Sequence, residues 1–188
     1  LTNGDGKSVS LLRYTTVWKK TEAGYKVASL RDVSEPIPLT PHEALEPIAW
    51  LVGDWVNEGT DGKVQLQYRW DEDGNFLVGE IAITGTDGGQ VMKSTQKIVW
   101  DASEGHYRSW TFDSDGGFGE SIWEESETGW VMHSKAVSPE GVRGTALMKM
   151  TTDGNDRFIV TVSHRMTGGI EEPEYSFTVV KRPPQVGK

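Results

Sequence analysis

The sequence predicts an all-β protein: a closed antiparallel up-and-down barrel of about ten strands, with one short helix and an N-terminal β-hairpin. Three observations lead there. From Gly53 to Arg182, short β-type runs follow one another, each closed by a Gly- or Asp-rich turn. The connections are of hairpin length, which makes successive strands antiparallel. No long Greek-key crossover interrupts them, and a twisted sheet of that many strands tends to curl and close, which removes its exposed edges.

The elements follow in order. Ser10 to Lys20 and Tyr25 to Asp32 read as two strands joined around Gly24. A two-stranded hairpin is marginal alone in water, so this one is expected to pack on its own barrel or on a second copy. A homodimer through residues 8–32 is favoured, because the hairpin exposes Leu12, Tyr14, Trp18, Tyr25 and Leu30 together with unpaired edges. Residues 34–40, with Pro36 and Pro38, form an extended linker. Thr40-Pro41-His42-Glu43 starts a helix, with Thr40 as N-cap, Pro41 in the first helical position and Glu43 closing a capping box. Pro47 limits this helix, although a second short turn can run on to Leu51. Leu45, Ile48, Ala49 and Val52 share one side, which suits a lid over one barrel end.

The barrel strands then run from Val64 to Trp70, Phe76 to Thr84, Val91 to Trp100, His106 to Phe112, Phe118 to Glu125, Trp130 to Val137, Val142 to Thr151, Arg157 to Met166 and Glu174 to Lys181, after a first strand that begins near Gly53. Turns such as Asp71-Glu72-Asp73-Gly74 and Ser138-Pro139-Glu140-Gly141 separate them. Glycine supplies positive φ there, and Asp bonds its own backbone. The implied organisation is a hairpin over 1–33, a linker over 34–40, a barrel over 41–183 and a tail over 184–188.

Composition narrows the function. The chain has 188 residues, with 22 Gly, eight Trp and no Cys, and a formal net charge of −9. That charge argues against nucleic acid or an anionic membrane as partner, since both require a basic face. Without cysteine there is neither thiolate chemistry nor a Cys-ligated metal. The four histidines, His42, His106, His133 and His164, have no metal-ligand spacing, and the Asp-rich turns are too short for calcium loops. No metal and no cofactor are expected. A Gly-x-Ser-x-Gly nucleophile elbow is also missing.

Two stretches resemble known families. Leu12-Arg13-Tyr14-Thr15-Thr16-Val17-Trp18-Lys19 and Gly24 to Asp32 are similar to the closing strands of SnoaL-like domains of the nuclear transport factor 2 superfamily. The resemblance covers residues 1–33 alone, so it implies a remnant or truncated piece and carries no enzymatic chemistry with it. Leu51-Val52-Gly53-Asp54-Trp55 resembles the Gly-x-Trp start of calycins, the lipocalin, fatty-acid-binding and nitrobindin-like barrels. This implies that Trp55 packs across the barrel floor beneath a basic residue of the last strand, Lys181 or Arg182. Nitrobindin-like proteins carry glycines two and four residues after the Trp and a haem-ligating His. This chain has Asn57 and Gly59 at those places and no His on its final strand.

Candidate site residues come from strand alternation. If Phe112 pairs with Phe118, then Trp110 faces Glu120 and Arg108 faces Ile122, and this apolar-rich face can point inward, where Arg108 and Glu120 would need each other or a ligand. The opposite face, with Tyr107 and Trp123, is an equally plausible core. His164 sits within the otherwise apolar alternation Phe158-Val160-Val162-His164-Met166, which suggests an inward imidazole. Tyr68, Trp70 and Met148 are expected on the same cavity wall. The reading that follows is a barrel that binds a small, largely apolar or aromatic ligand through Tyr68, Trp70, Arg108, Trp110, Glu120, Met148 and His164. The alternatives are a cofactor-independent hydrolase, with Glu120 and His164 sharing acid/base work and Arg108 stabilising negative charge, and a structural partner of an upstream domain.

Overall fold

The structure, a computed structural model, describes residues 10–36, 38–57, 62–86 and 88–182. Gly59 and the 184–188 tail lie outside the described residues. The chain divides into two compact units, residues 1–39 and 40–188.

In the first unit, β1 (Ser10–Thr21) and β2 (Gly24–Pro36) form a two-stranded antiparallel sheet. Their register places Leu12, Tyr14, Trp18, Tyr25, Val27 and Leu30 on one face and Arg13, Thr15, Lys19, Lys26 and Arg31 on the other. Every residue named on the apolar face is more than half exposed. The first face is therefore the more apolar, although Lys20 and Asp32 share it, and the second is the more basic, although it also carries Val17 and Val33.

The second unit opens with α1 (Pro41–Leu45), whose capping box is formed as the sequence predicts: Glu43 N donates to Thr40 Oγ1 at 3.2 Å and Thr40 N donates to Glu43 Oε2 at 3.0 Å. Pro47 has no N–H for an α-type bond, and the chain tightens into a 3-10 helix over Glu46–Leu51. Ten strands then close a barrel: β3 (Gly53–Asn57), β4 (Lys63–Trp70), β5 (Leu77–Thr84), β6 (Gln90–Asp101), β7 (His106–Asp113), β8 (Phe118–Ser126), β9 (Gly129–Val137), β10 (Arg143–Thr152), β11 (Arg157–Thr167) and, after the short β12 (Ile170–Glu172), β13 (Tyr175–Lys181). Every pairing is antiparallel, and β13 returns to β3 through Val180 against Val56. The sequence does not anticipate β12, which pairs with Arg165–Thr167 of β11 on the same edge as β13.

The helical segment and the barrel floor make one core. Leu45, Ile48 and Leu51 are fully buried, together with Trp55, Leu77, Ile98, Trp123, Phe158 and Val179. Phe158 sits edge-on to both Trp50 and Trp55, with centroids 5.4 and 5.0 Å away. Tyr107 Oη donates to Ala44 O at 2.9 Å, tying the helix to β7. This end of the barrel is filled.

Candidate functional site

The floor is built on Trp55. Its Nε1 donates to Leu51 O at 2.6 Å, which fixes the indole across the barrel, and Lys181 places Nζ 5.1 Å from the ring centroid. Gly53 makes room for that lysine: with φ +134°, it would set a Cβ 2.7 Å from Lys181 Cε. Of the two basic residues the sequence offers for this position, Lys181 takes it, while Arg182 uses its backbone N–H to bond Asp54 O.

Above the floor runs a belt of hydrogen bonds. Tyr68 on β4 and Gln96 on β6 both lie in register with Gly79 on β5. A side chain at Gly79 would collide with the Tyr68 ring, 2.9 Å from Cδ1 and nearer still to Cε1. Its absence lets the phenol lie across β5 and donate to Gln96 Oε1 at 2.7 Å. Gln96 Nε2 reaches Ser109 Oγ and Thr111 Oγ1, each at 3.4 Å, and Trp123 Nε1 donates to Ser109 Oγ at 2.9 Å. Burial pushes the Tyr68 phenol far above the ordinary tyrosine range, so it is a fixed donor near neutrality.

Beyond the belt lies the half of the barrel that we call open, where the inward positions are less deeply buried. Inward positions on β4 and β5 hold Leu66, Ile81 and Ile83, each only partly buried. Farther round the wall, on β7, β8 and β9, the inward positions are Thr111, Ser121 and Ser134, also partly buried. Ser121 and Ser134 bond each other at 2.8 Å, and Ser134 Oγ donates to Met148 Sδ at 3.7 Å. At the rim Ser94 Oγ donates to Asp113 Oδ1 at 2.6 Å. The inward side chains of this half are thus aliphatic on β4 and β5 and hydroxyl-bearing on β7 to β9, while β11 and β13 add Arg165, whose guanidinium lies 5.1 Å from the centroid of the inward Tyr175 ring.

The expected site residues divide. Tyr68 and Met148 face the interior, as the alternation of β4 and β10 requires. Trp70 lies at the filled end, where its ring is tilted by 31° against His42 with centroids 4.0 Å apart, and it does not line the open half. Arg108, Trp110 and Glu120 need a correction. Phe112 does pair with Phe118, Trp110 with Glu120 and Arg108 with Ile122, but that face is the outer one. Phe112 and Phe118 are 58% and 52% exposed, while Tyr107 and Trp123 are buried inside. The reason is space. The bulky Trp110 and Arg108 fit the outer wall, and the small Ser109 and Thr111 alternate with them on the crowded inner one. Arg108 is 3.7 Å from Asp101, not paired with Glu120.

His164 is also corrected. Ala146 on β10 faces both His164 and Arg165, so β11 carries a bulge there, and His164 has φ +49°. The bulge breaks the alternation that Phe158, Val160 and Val162 establish. The imidazole is exposed and borders a groove of about 410 Å³ along β9 and β10, lined by His133, Lys135 and Leu147 and also by the inward-facing Ser134 and Ala146. Glu120 on β8 and His164 on β11 stand three strand spacings apart, about 14 Å. The acid/base pair expected of a hydrolase is not assembled, and its proposed helper Arg108 is on the outer wall as well.

Gln96, Ser109, Thr111, Ser121 and Ser134 escaped the sequence reading. Their signal is the alternation Ser109-Thr111 against Ser121-Trp123, which places hydroxyls on the same face as a buried Trp. Among the described residues no group of three or more His, Asp or Glu is placed to hold a metal ion, and no helix is long and apolar enough to cross a membrane. No protein-family model matches the chain, and no curated protein matches it.

Proposed function

We propose that the barrel binds a small, largely apolar molecule in its open half, with the Tyr68–Gln96–Ser109 belt as the floor of the site. One observation carries this reading: inward-facing side chains are buried at the helix end and remain partly exposed beyond the belt, although the wall around them is continuous. A ring of that many strands encloses enough room for one small ligand. The Gly53-x-Trp55 floor with Lys181 over the indole resembles the calycin arrangement, which supports the same reading and favours a binding protein over an enzyme.

The test is a titration with the neutral fluorophore N-phenyl-1-naphthylamine. Saturable binding to one site is expected in the wild type, and its loss in Ala146→Trp, since position 146 lies opposite Ser134 and would send an indole into the open half. Circular dichroism and melting establish that the variant is folded. Absence of saturable binding in the wild type, or unchanged binding in a folded Ala146→Trp protein, overturns the proposal.

A further inference from the structure

One irregularity puts a cation on the inner wall of the open half. On β10 the outward Thr145 and Leu147 pair with Met166 and Ser163 of β11, so two residues, His164 and Arg165, stand opposite Ala146. A bulge of this kind re-aims side chains. His164, with φ +49°, is turned out, and Arg165 is turned in beside the inward Ala146. The Arg165 guanidinium lies 5.1 Å from the centroid of the Tyr175 ring, which stacks on Phe177 with centroids 6.2 Å apart. Tyr175 and Phe177 pair with the buried Val162 and Val160, so both rings face inward, and the fully buried Val179 continues their column to the filled end. From mouth to floor, β11 and β13 thus present a cation, two stacked rings and an aliphatic base.

The guanidinium is not saturated. Among the described residues its polar partner is Glu172, with Nη2 2.6 Å from Oε2, and both side chains are 30% exposed, within reach of a ligand. That contact occupies one corner of a fork that carries five N–H donors, and the rest of the fork is open to a second oxyanion while Glu172 stays in place. From this we infer that the open half takes an aromatic carboxylic acid, seated ring-down along Tyr175 and Phe177 with its carboxylate on the free edge of Arg165 at the barrel mouth. The inference rests on the open half being the binding site, as proposed above. A carboxylate meets the fork through charge-assisted, bidentate hydrogen bonds, which are stronger than those a neutral amide makes to the same donors. Nothing else invites an anion here: the chain has a net charge of −9, and Asp113 and Glu172 are carboxylates. Selection of the acid therefore falls to Arg165.

The experiment compares 1-naphthylacetate with its neutral counterpart 1-naphthylacetamide by calorimetry at pH 7 in the wild type, Arg165→Gln and Glu172→Gln. In the wild type the acetate is expected to bind at least about tenfold more tightly than the amide. Arg165→Gln should abolish that preference while the amide still binds. Glu172→Gln keeps the guanidinium and takes one carboxylate away from it, so the acetate should gain several-fold over the amide. Circular dichroism shows which variants are folded, and Glu172→Gln decides the matter should Arg165→Gln not fold. Equal binding of the two probes by the wild type, an acetate preference that survives in folded Arg165→Gln, or no gain in Glu172→Gln overturns the ligand class and leaves Arg165 and Glu172 as a structural tie between β11 and β12. N-phenyl-1-naphthylamine separates the failures. If it binds the wild type and is lost in Ala146→Trp, the open half stands and only the ligand class falls. If neither that fluorophore nor the two naphthyl probes bind, the reading of the open half fails together with the inference.

Discussion

Tyr68 and Gln96 are joined over the top of an intervening strand, the phenol donating to the amide oxygen at 2.7 Å across Gly79. This bond links β4 to β6 without involving β5, and it seats the belt between the filled helix end of the barrel and the less deeply buried half. Glycine at 79 is required by the close approach of the ring, not by its own backbone conformation.

Adding a methyl at that point should therefore be costly. Gly79→Ala forces the Tyr68 ring off its seat, with an expected loss of about 1–3 kcal/mol, the usual range for overpacking in a closed interior. Urea denaturation of the variant measures it. A loss below about 0.5 kcal/mol would mean that the ring can move aside freely.

Tyr68→Phe should show a pH signature. At pH 7 it strands Gln96 Oε1, at a cost of about 1–3 kcal/mol. Burial raises the Tyr68 pKa in the folded state, so its contribution is complete below the unfolded value of about 10 and is lost as pH rises above it. The stability gap between wild type and variant should accordingly narrow between pH 9 and pH 11 in parallel urea titrations. Tyr107, whose pKa is raised by burial and then by Glu125, is present in both proteins and cancels in the comparison. A gap independent of pH contradicts this account of the phenol.

The Lys181–Trp55 pair gives a third prediction. Lys181→Met retains the packing of the stem and removes the cation, for an expected loss of about 0.5–2 kcal/mol. Trp55→Ala opens the floor itself and should cost about 3–5 kcal/mol. Thermal melts of both variants test the order. Equal effects would mean that the charge, and not the indole's burial, holds the floor.

On the outer wall, Glu120→Gln should alter stability by no more than about 0.5 kcal/mol, as expected for an exposed position away from the core. Binding of N-phenyl-1-naphthylamine should be unchanged. A large loss of either would restore Glu120 to a site that its placement opposite Trp110 does not suggest.

The amphipathic β1–β2 ribbon leads to a prediction of self-association. A face carrying Leu12, Tyr14, Trp18, Tyr25 and Leu30 suits a second copy of the same ribbon, so the chain should dimerise in sedimentation experiments as concentration rises. Tyr14→Lys with Trp18→Lys should leave a monomer. A wild type that stays monomeric throughout removes the homodimer from consideration.

Local chemistry made much of this fold legible in the sequence. Turn residues punctuate the strands because positive φ and Asx bonding are properties of a few residues in a row, and the cap at Thr40 and the Phe112–Phe118 register rest on equally short spans. The inner face of β7 and β8 was not legible. Arg108, Trp110 and Glu120 on one side and Tyr107, Ser109 and Trp123 on the other alternate equally well, and only the curvature of the closed ring decides which set meets the crowded interior. His164 was misread for a related reason: the bulge that turns it outward arises from its pairing with β10, which no feature of Phe158 to Met166 announces. The sequence by itself determined the strands, their turns and the capped helix, because these depend on neighbours along the chain. The tertiary structure alone decided which side chains share the open half, because that depends on which face closure turns inward and on the one missing Cβ, at Gly79, that lets Tyr68 reach Gln96.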